Sequence, residues 1–308
     1  MLNPDVTLVE VGPRDGLQNE LKNIPTDLKI KFINALSDTG LRVIECTSFV
    51  SAKWVPQMAD QHEVMQRIER KPHVIYTALV PNIQGLNGAI ASKTQEICVF
   101  TAASETFALK NTNCTIEQSL NRIKQVIAKA RENKIRVRGY ISCTLGCPYE
   151  GEIPPQRVAD LATQLIELGC YQISLGDTIG VGTAHKAKQL IKLVKESIPT
   201  EKIAMHFHDT YAQALTNIYV SLEEGIRTFD SSVAGLGGCP YAPGAGGNVA
   251  TEDVIYLLNG LGLTTGVDLS KITQAGRMIC DYLQIQPRSK VALALAKNCF
   301  NAESPSGR

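Results

Sequence analysis

Little in the sequence would commit it to a membrane, a nucleic acid or a nucleotide. Its 31 basic and 30 acidic residues leave a net charge of +1, so no long-range field draws it to anionic polymers or lipid. No run approaches the roughly 20 uninterrupted apolar residues of a membrane-spanning helix. Residues 1–5 resemble neither a signal peptide nor an arginine-rich transit segment. Ser306-Gly307-Arg308 matches no lipidation or peroxisomal signal. A cytoplasmic location is expected, with no membrane or nucleic-acid partner. No P-loop is present, and the glycine run at 235–247 fails as G-x-G-x-x-G because Pro240 stands where the third glycine belongs.

Cysteine is plentiful, with nine at positions 46, 98, 114, 143, 147, 170, 239, 280 and 299. A secreted disulfide scaffold would be short and evenly stocked, so this long chain with an odd count is expected to hold reduced thiols, most of them buried. Cys143-x-x-x-Cys147 is followed by Glu150 rather than a third cysteine, which excludes an iron–sulfur triplet. No second pair completes a structural zinc site.

The composition is globular, with 44% hydrophobic and 20% charged residues over 308 positions. A length of this order can mean two domains, but a (β/α)8 barrel of about 250 residues is routinely one. The chain favours the second reading. Eight β-rich runs recur at 6–11, 42–46, 73–79, 95–100, 134–142, 171–175, 202–206 and 227–230. Their starts lie roughly 20–40 residues apart, the length of a strand, a helix and two loops. Helical periodicity fills gaps at 26–38, 115–133, 156–168, 185–197 and 211–224, with Gly40, Gly169 and Gly225 as stops. Such alternation predicts parallel strands joined by right-handed crossovers, hence an α/β fold of the (β/α)8 TIM-barrel type. A doubly wound open sheet is the alternative. Two further helices, 269–283 and 289–298, predict a small C-terminal helical extension. No linker divides the chain, so a single domain over 1–308 is expected, with 267–300 as its cap.

Barrel enzymes carry their chemistry where the strands end. There the sequence places Arg14 and Asp15 after the first strand, Glu45 in the second, Asp177 after the sixth, and His206-x-His208 at the end of the seventh. Residues i and i+2 of a strand point the same way, about 6.6 Å apart, so the two imidazoles can converge on one ion. Asp15 offers a carboxylate oxygen and Asn248 a carbonyl oxygen. This mixed nitrogen and oxygen set suits a divalent metal such as Mg²⁺ or Mn²⁺; zinc or cobalt would also bind. Arg14 is suited to an oxyanion or enolate, or else to an ion pair with Glu45 or Asp177. Glu45 lies in an otherwise apolar strand, where a carboxylate needs a partner or an opening to the barrel mouth. Residues 235–247 hold six glycines and predict a long loop over that mouth. Cys239 rides on it, as proton donor or nucleophile, or as a passive thiol.

Longer segments then carry a resemblance. Val9-Glu10-Val11-Gly12-Pro13-Arg14-Asp15-Gly16-Leu17-Gln18-Asn19-Glu20 is similar to the opening motif of the 3-hydroxy-3-methylglutaryl-CoA lyase family. So are Glu45 to Ser51, Lys53 to Asp60, Gly139 to Cys143, Cys147 to Gly151, Gly176 to Gly180 and His206 to Thr210. Gly235-Leu236-Gly237-Gly238-Cys239-Pro240-Tyr241-Ala242 distinguishes this family from isopropylmalate and homocitrate synthases. The resemblance spans roughly residues 5–300. It implies a metal-dependent retro-Claisen cleavage of 3-hydroxy-3-methylglutaryl-CoA to acetyl-CoA and acetoacetate, as in leucine degradation or ketone-body formation.

The family's metal ligands fall on Asp15, His206, His208 and Asn248, and its catalytic arginine and cysteine on Arg14 and Cys239. Glu45 and Asp177 match its acidic active-site residues. Gln18, Tyr140 and Thr178 match positions beside the substrate. Where the family often carries a lysine after the Asn-Glu pair, this chain has Leu21, with Lys22 next. A small-molecule acyl-CoA partner and a homodimer or higher homo-oligomer are expected. The competing expectations are a lyase for another 3-hydroxy-3-methylacyl-CoA and a catalytically silent metal- or CoA-binding barrel.

Overall fold

The computed structural model describes residues 4–238 and 246–302, with side chains through 296. Eight strands form the barrel: β1 (Thr7–Glu10), β2 (Val43–Ser48), β3 (Ile75–Leu79), β4 (Glu96–Ala102), β5 (Arg136–Ser142), β6 (Gln172–Asp177), β7 (Ile203–Phe207) and β8 (Thr228–Ser231). They pair in sequence order, all parallel, and β8 closes onto β1. The closed barrel expected from strand recurrence is therefore present, and the open sheet is excluded.

The helices are α1 (Thr26–Ser37), α2 (Gln61–Arg67), α3 (Ile83–Ala91), α4 (Glu105–Thr112), α5 (Ile116–Glu132), α6 (Pro155–Leu168), α7 (Ala184–Val194), α8 (Ala214–Glu223), α9 (Thr251–Gly260), α10 (Leu269–Leu283) and α11 (Lys290–Ala302). Local chemistry explains the clearest of them. The Thr115 hydroxyl accepts the Gln118 N–H while the Gln118 side chain accepts the Thr115 N–H, a reciprocal cap that starts α5. The helix then buries Ile123, Val126, Ile127 and Ala130 against the barrel. Pro155 fits the first turn of α6, where its missing N–H costs nothing.

Four helices were not expected from the sequence: α2, α3, α4 and α9. In α3 the interior holds Gly85 and Gly88, poor helix formers. Tertiary packing overrides that preference, because a Cβ on Gly88 would lie 2.8 Å from the Phe49 ring. Two expected boundaries shift where the backbone turns left-handed. Lys134 (φ 57°) delays β5 to Arg136, and Ala212 (φ 56°) delays α8 to Ala214. Beyond the eighth strand, α10 packs on α1 and beside the turn Val233–Gly235.

The barrel interior is unusually polar. Arg138 and Tyr140 of β5, Gln172 and Ser174 of β6, and Asp230 of β8 are all buried and linked by hydrogen bonds across the barrel. The seven described cysteines away from the glycine loop, at 46, 98, 114, 143, 147, 170 and 280, are buried and form no disulfide among the described residues. Burial pushes the Cys170 and Cys280 thiols up to about 12, so they stay protonated and inert.

Candidate active site

The chain leaves β1 through one wide turn, Gly12–Gly16, in which the Gly16 N–H reaches back five residues to the Val11 carbonyl (3.1 Å). Such turns are frequent at functional sites. This one sets Arg14 and Asp15 side by side at the barrel mouth. On β2 the pairing with β3 slips by one residue between Glu45 and Thr47, a bulge of the kind that re-aims a neighbouring side chain. Arg14 Nε donates to Glu45 Oε2 (2.7 Å) and Nη1 to Asp15 Oδ1 (2.7 Å). The ion pair with Glu45 thus forms, and none joins Arg14 to Asp177 among the described residues. Glu45 is fully buried and its Oε1 has no hydrogen-bond partner among the described residues. Burial raises its pKa, against the pull of Arg14.

His206 and His208 lie with ring centroids 5.3 Å apart. Asn248, distant in sequence, arrives because the returning loop bridges antiparallel to the end of β7, His208 opposite Asn248. Two backbone bonds fix the crossing, Asp209 N–H to Gly247 O (3.0 Å) and Val249 N–H to Phe207 O (3.0 Å). Ligand atoms of Asp15, His206 and His208 all lie within 4.8 Å of one another. Asn248 Nδ2 donates to Asp15 Oδ2 (2.8 Å) and Leu236 O (3.1 Å). Its Oδ1 is buried with no partner among the described residues, an orphan that costs free energy unless something else satisfies it. A divalent cation fits that donor set of two imidazoles, a carboxylate and an amide oxygen.

The electrostatics are those of a ligand cluster. Burial opposes ionisation of Asp15, but Arg14 and the two imidazoles outweigh it and hold the carboxyl at about 2. Burial, with His206 beside it, depresses His208 to about 4, so its ring is neutral and able to ligate.

The other expected residues are placed as follows. Asp177 is buried at the end of β6, and burial lifts its carboxyl to about 6. Its oxygens accept the N–H groups of Val181 (3.1 Å) and Gly182 (2.8 Å) in the next loop. The Tyr140 hydroxyl is turned inward to Arg138 Nη1 (3.1 Å), while its ring faces Arg14 at 5.8 Å. The Thr178 hydroxyl accepts the Cys143 N–H (2.8 Å), tying the β5 and β6 loops together. Gln18 is half-buried, its N–H bonded to the Arg14 carbonyl (2.9 Å). Cys239 lies outside the described residues.

Several organising residues were not anticipated. Asp230, at the end of β8, receives Arg138 (2.8 Å) and Ser174 (2.7 Å) and lies 3.4 Å from His206 Nδ1. Glu10 accepts from Gly12 N–H (2.8 Å), Val233 N–H (2.9 Å) and the Thr251 hydroxyl (2.7 Å), joining the Arg14 turn to the stem of the glycine loop. Glu252 accepts the Ala234 N–H there. Arg288, from the α10–α11 connection, donates to the carbonyls of Gly235 and Gly237. A Cβ on Gly247 would collide with the backbone carbonyls of Gly235 and Gly237, so this position needs glycine. One sequence signal could have flagged Arg138, Asp230 and Glu10: like Glu45, each is a charge inside a strand.

Fold and site together define a parallel-barrel enzyme class with a divalent-metal ligand cluster at the C-terminal mouth. The HMGL-like family model matches residues 5–279, and the chain belongs to that family. It is 59% identical over 292 residues to the cytoplasmic 3-hydroxy-3-methylglutaryl-CoA lyase of Rattus norvegicus, covering 95% of this chain and 85% of that protein. It is 56% identical to the 3-hydroxy-3-isohexenylglutaryl-CoA/hydroxy-methylglutaryl-CoA lyase of Pseudomonas aeruginosa, covering 94% and 97% respectively. The crystal structure of hydroxymethylglutaryl-CoA lyase from Pseudomonas aeruginosa superposes with a TM-score of 0.94 at 55% identity, covering 96% of this chain and 99% of that one.

Proposed function

We propose that this protein is a divalent-metal-dependent carbon–carbon lyase that cleaves 3-hydroxy-3-methylglutaryl-CoA to acetyl-CoA and acetoacetate. The observation that carries it is the orphaned Asn248 Oδ1 beside Asp15, His206 and His208, with the Arg14–Glu45 pair alongside. The names of the relatives support the substrate. These four residues would hold a divalent ion such as Mg²⁺ or Mn²⁺, which would supply Lewis-acid chemistry that makes a hydroxyl more acidic.

Asp177 accepts the substrate's hydroxyl proton. Its carboxyl, raised to about 6 by burial, titrates close to working pH. Its bonds to Val181 and Gly182 hold it still and leave each oxygen a lone pair for the proton. Arg14 stabilises the thioester enolate released as the C–C bond breaks, and Glu45 holds the guanidinium in place. Cys239 returns a proton to the enolate carbon. Gln18, Tyr140 and Thr178 shape the substrate side of the mouth.

The whole chain works as one domain, with 267–300 as the cap; the bonds from Arg288 to the glycine-loop stem support this. Assembly as a homodimer or larger homo-oligomer belongs to the same proposal, supported by the exposed Tyr219 and Tyr256 on the outer helices α8 and α9. A cytoplasmic location is supported by the name of the rat relative.

The name of the Pseudomonas relative favours one second reading, a pocket that also admits a longer isoprenoid-derived branch. The test is acetyl-CoA release from both thioesters with metal, with chelator, and after metal is restored. Release from the methyl thioester, abolished by chelator and recovered with Mg²⁺ or Mn²⁺, is expected. Metal binding without cleavage of either thioester would mean a silent barrel.

A further inference from the structure

We infer that Asp230, clamped by Arg138 and Ser174, is the positioning residue that orients His206 toward the metal. This rests on the reading of His206 as a ligand.

The geometry is built from four strands. Asp230 of β8 is 0% exposed in its side chain. Its Oδ1 receives Arg138 Nη2 from β5 (2.8 Å) and its Oδ2 receives Ser174 Oγ from β6 (2.7 Å). The same Oδ2 lies 3.4 Å from Nδ1 of His206 on β7. Arg138 is locked in turn by Gln172 Oε1 (3.0 Å) and the Tyr140 hydroxyl (3.1 Å). The carboxylate therefore cannot rotate without breaking bonds to two other strands.

A carboxylate only accepts hydrogen bonds, so closing the 3.4 Å gap to Asp230 would favour the tautomer of His206 with the proton on Nδ1. That leaves the Nε2 lone pair for a metal. The guanidinium compensates a charge that would be costly to bury alone. The neighbouring ligand lacks such a prop among the described residues, where His208 Nδ1 is buried with no partner. His208 is instead placed by the backbone bridge to Asn248. The two imidazoles are thus oriented by different means, one by a side-chain clamp and one by main chain.

The test is Mn²⁺ affinity of the full chain, titrated into the millimolar range and followed by electron paramagnetic resonance, with thermal unfolding alongside. Asp230→Asn is expected to weaken Mn²⁺ binding about 10–100-fold, the usual cost of losing such an outer partner. In a His206→Ala background the same change should cost nothing further. Ser174→Ala, which leaves the Arg138 pair intact, should weaken binding a few-fold, and it decides the matter if Asp230→Asn does not fold. Wild-type affinity in Asp230→Asn, or in Ser174→Ala where that variant decides, would overturn the inference. So would an equal loss in the His206→Ala background, which would mark a general effect on the fold. Wild-type affinity in His206→Ala alone would instead sink the ligand reading beneath it.

Discussion

Two buried arginine–carboxylate pairs stand in one barrel and differ in how completely they are satisfied. Arg138 and Asp230 lie deep in the interior. Arg138 uses all three of its guanidinium nitrogens on Gln172, Tyr140 and Asp230, and both Asp230 oxygens are occupied. Arg14 and Glu45 sit at the mouth, where Glu45 Oε1 has no partner among the described residues and Arg14 is bonded to a second carboxylate, Asp15. A saturated network makes a stiff scaffold, whereas an unsaturated one keeps bonding capacity for another molecule. The first pair supports the site and the second belongs to it.

Arg14→Gln should break the mouth pair at the level of rate. We expect kcat to fall about 10³-fold with little change in KM, because the contact strengthens in the transition state. Stability should change by only about 1 kcal/mol, since the abandoned Glu45 can take up a proton. Steady-state kinetics and urea denaturation on one preparation check both halves. Arg138→Met should do the reverse. It leaves the Asp230 carboxylate buried without its cation, and a loss of about 3–5 kcal/mol is expected in the same denaturation experiment. Equal stability losses in the two variants would erase the distinction.

Glu252 extends the comparison to a buried carboxylate with no ion-pair partner among the described residues. Burial raises its carboxyl from 4.5 to about 8. The native state therefore holds a proton that the unfolded chain releases between those two values. Wild-type stability falls across that window as pH rises. Glu252→Gln cannot titrate, so its stability relative to wild type should improve by on the order of 3 kcal/mol from pH 5 to pH 8. A flat difference would mean the group is ionised throughout. The smallest effect is expected from Arg288→Ala. Its bonds to Gly235 and Gly237 are only partly buried, so about 1 kcal/mol should appear in unfolding, with a modest drop in kcat.

The legible part of this protein was the periodic part. Strand recurrence gave the barrel, and helices such as α5 and α10 were readable because caps, periodicity and burial agree. Helix α3 was not, because its glycines argue against a helix until Phe49 packs on them. The ligand candidates Asp15, His206 and His208 were visible as polar residues where strands end. Asp230 and Arg138 were passed over, although a charge within a strand is the same signal that flagged Glu45. The match of Tyr140 to a position beside the substrate carried no sign that Arg138 would donate to its hydroxyl.

The chain alone determined which chemical groups are present and the end of the barrel to which they belong, because strand period and crossover handedness follow from local geometry. Only the tertiary structure decided their partnerships. Asn248 meets His208 across an antiparallel bridge, Arg138 meets Asp230 across the barrel, and Arg288 reaches the glycine-loop stem from the C-terminal helices. Such contacts join residues tens to hundreds of positions apart, and no local preference encodes them. They exist because closing the barrel brings strand ends within hydrogen-bond reach in a space that excludes water.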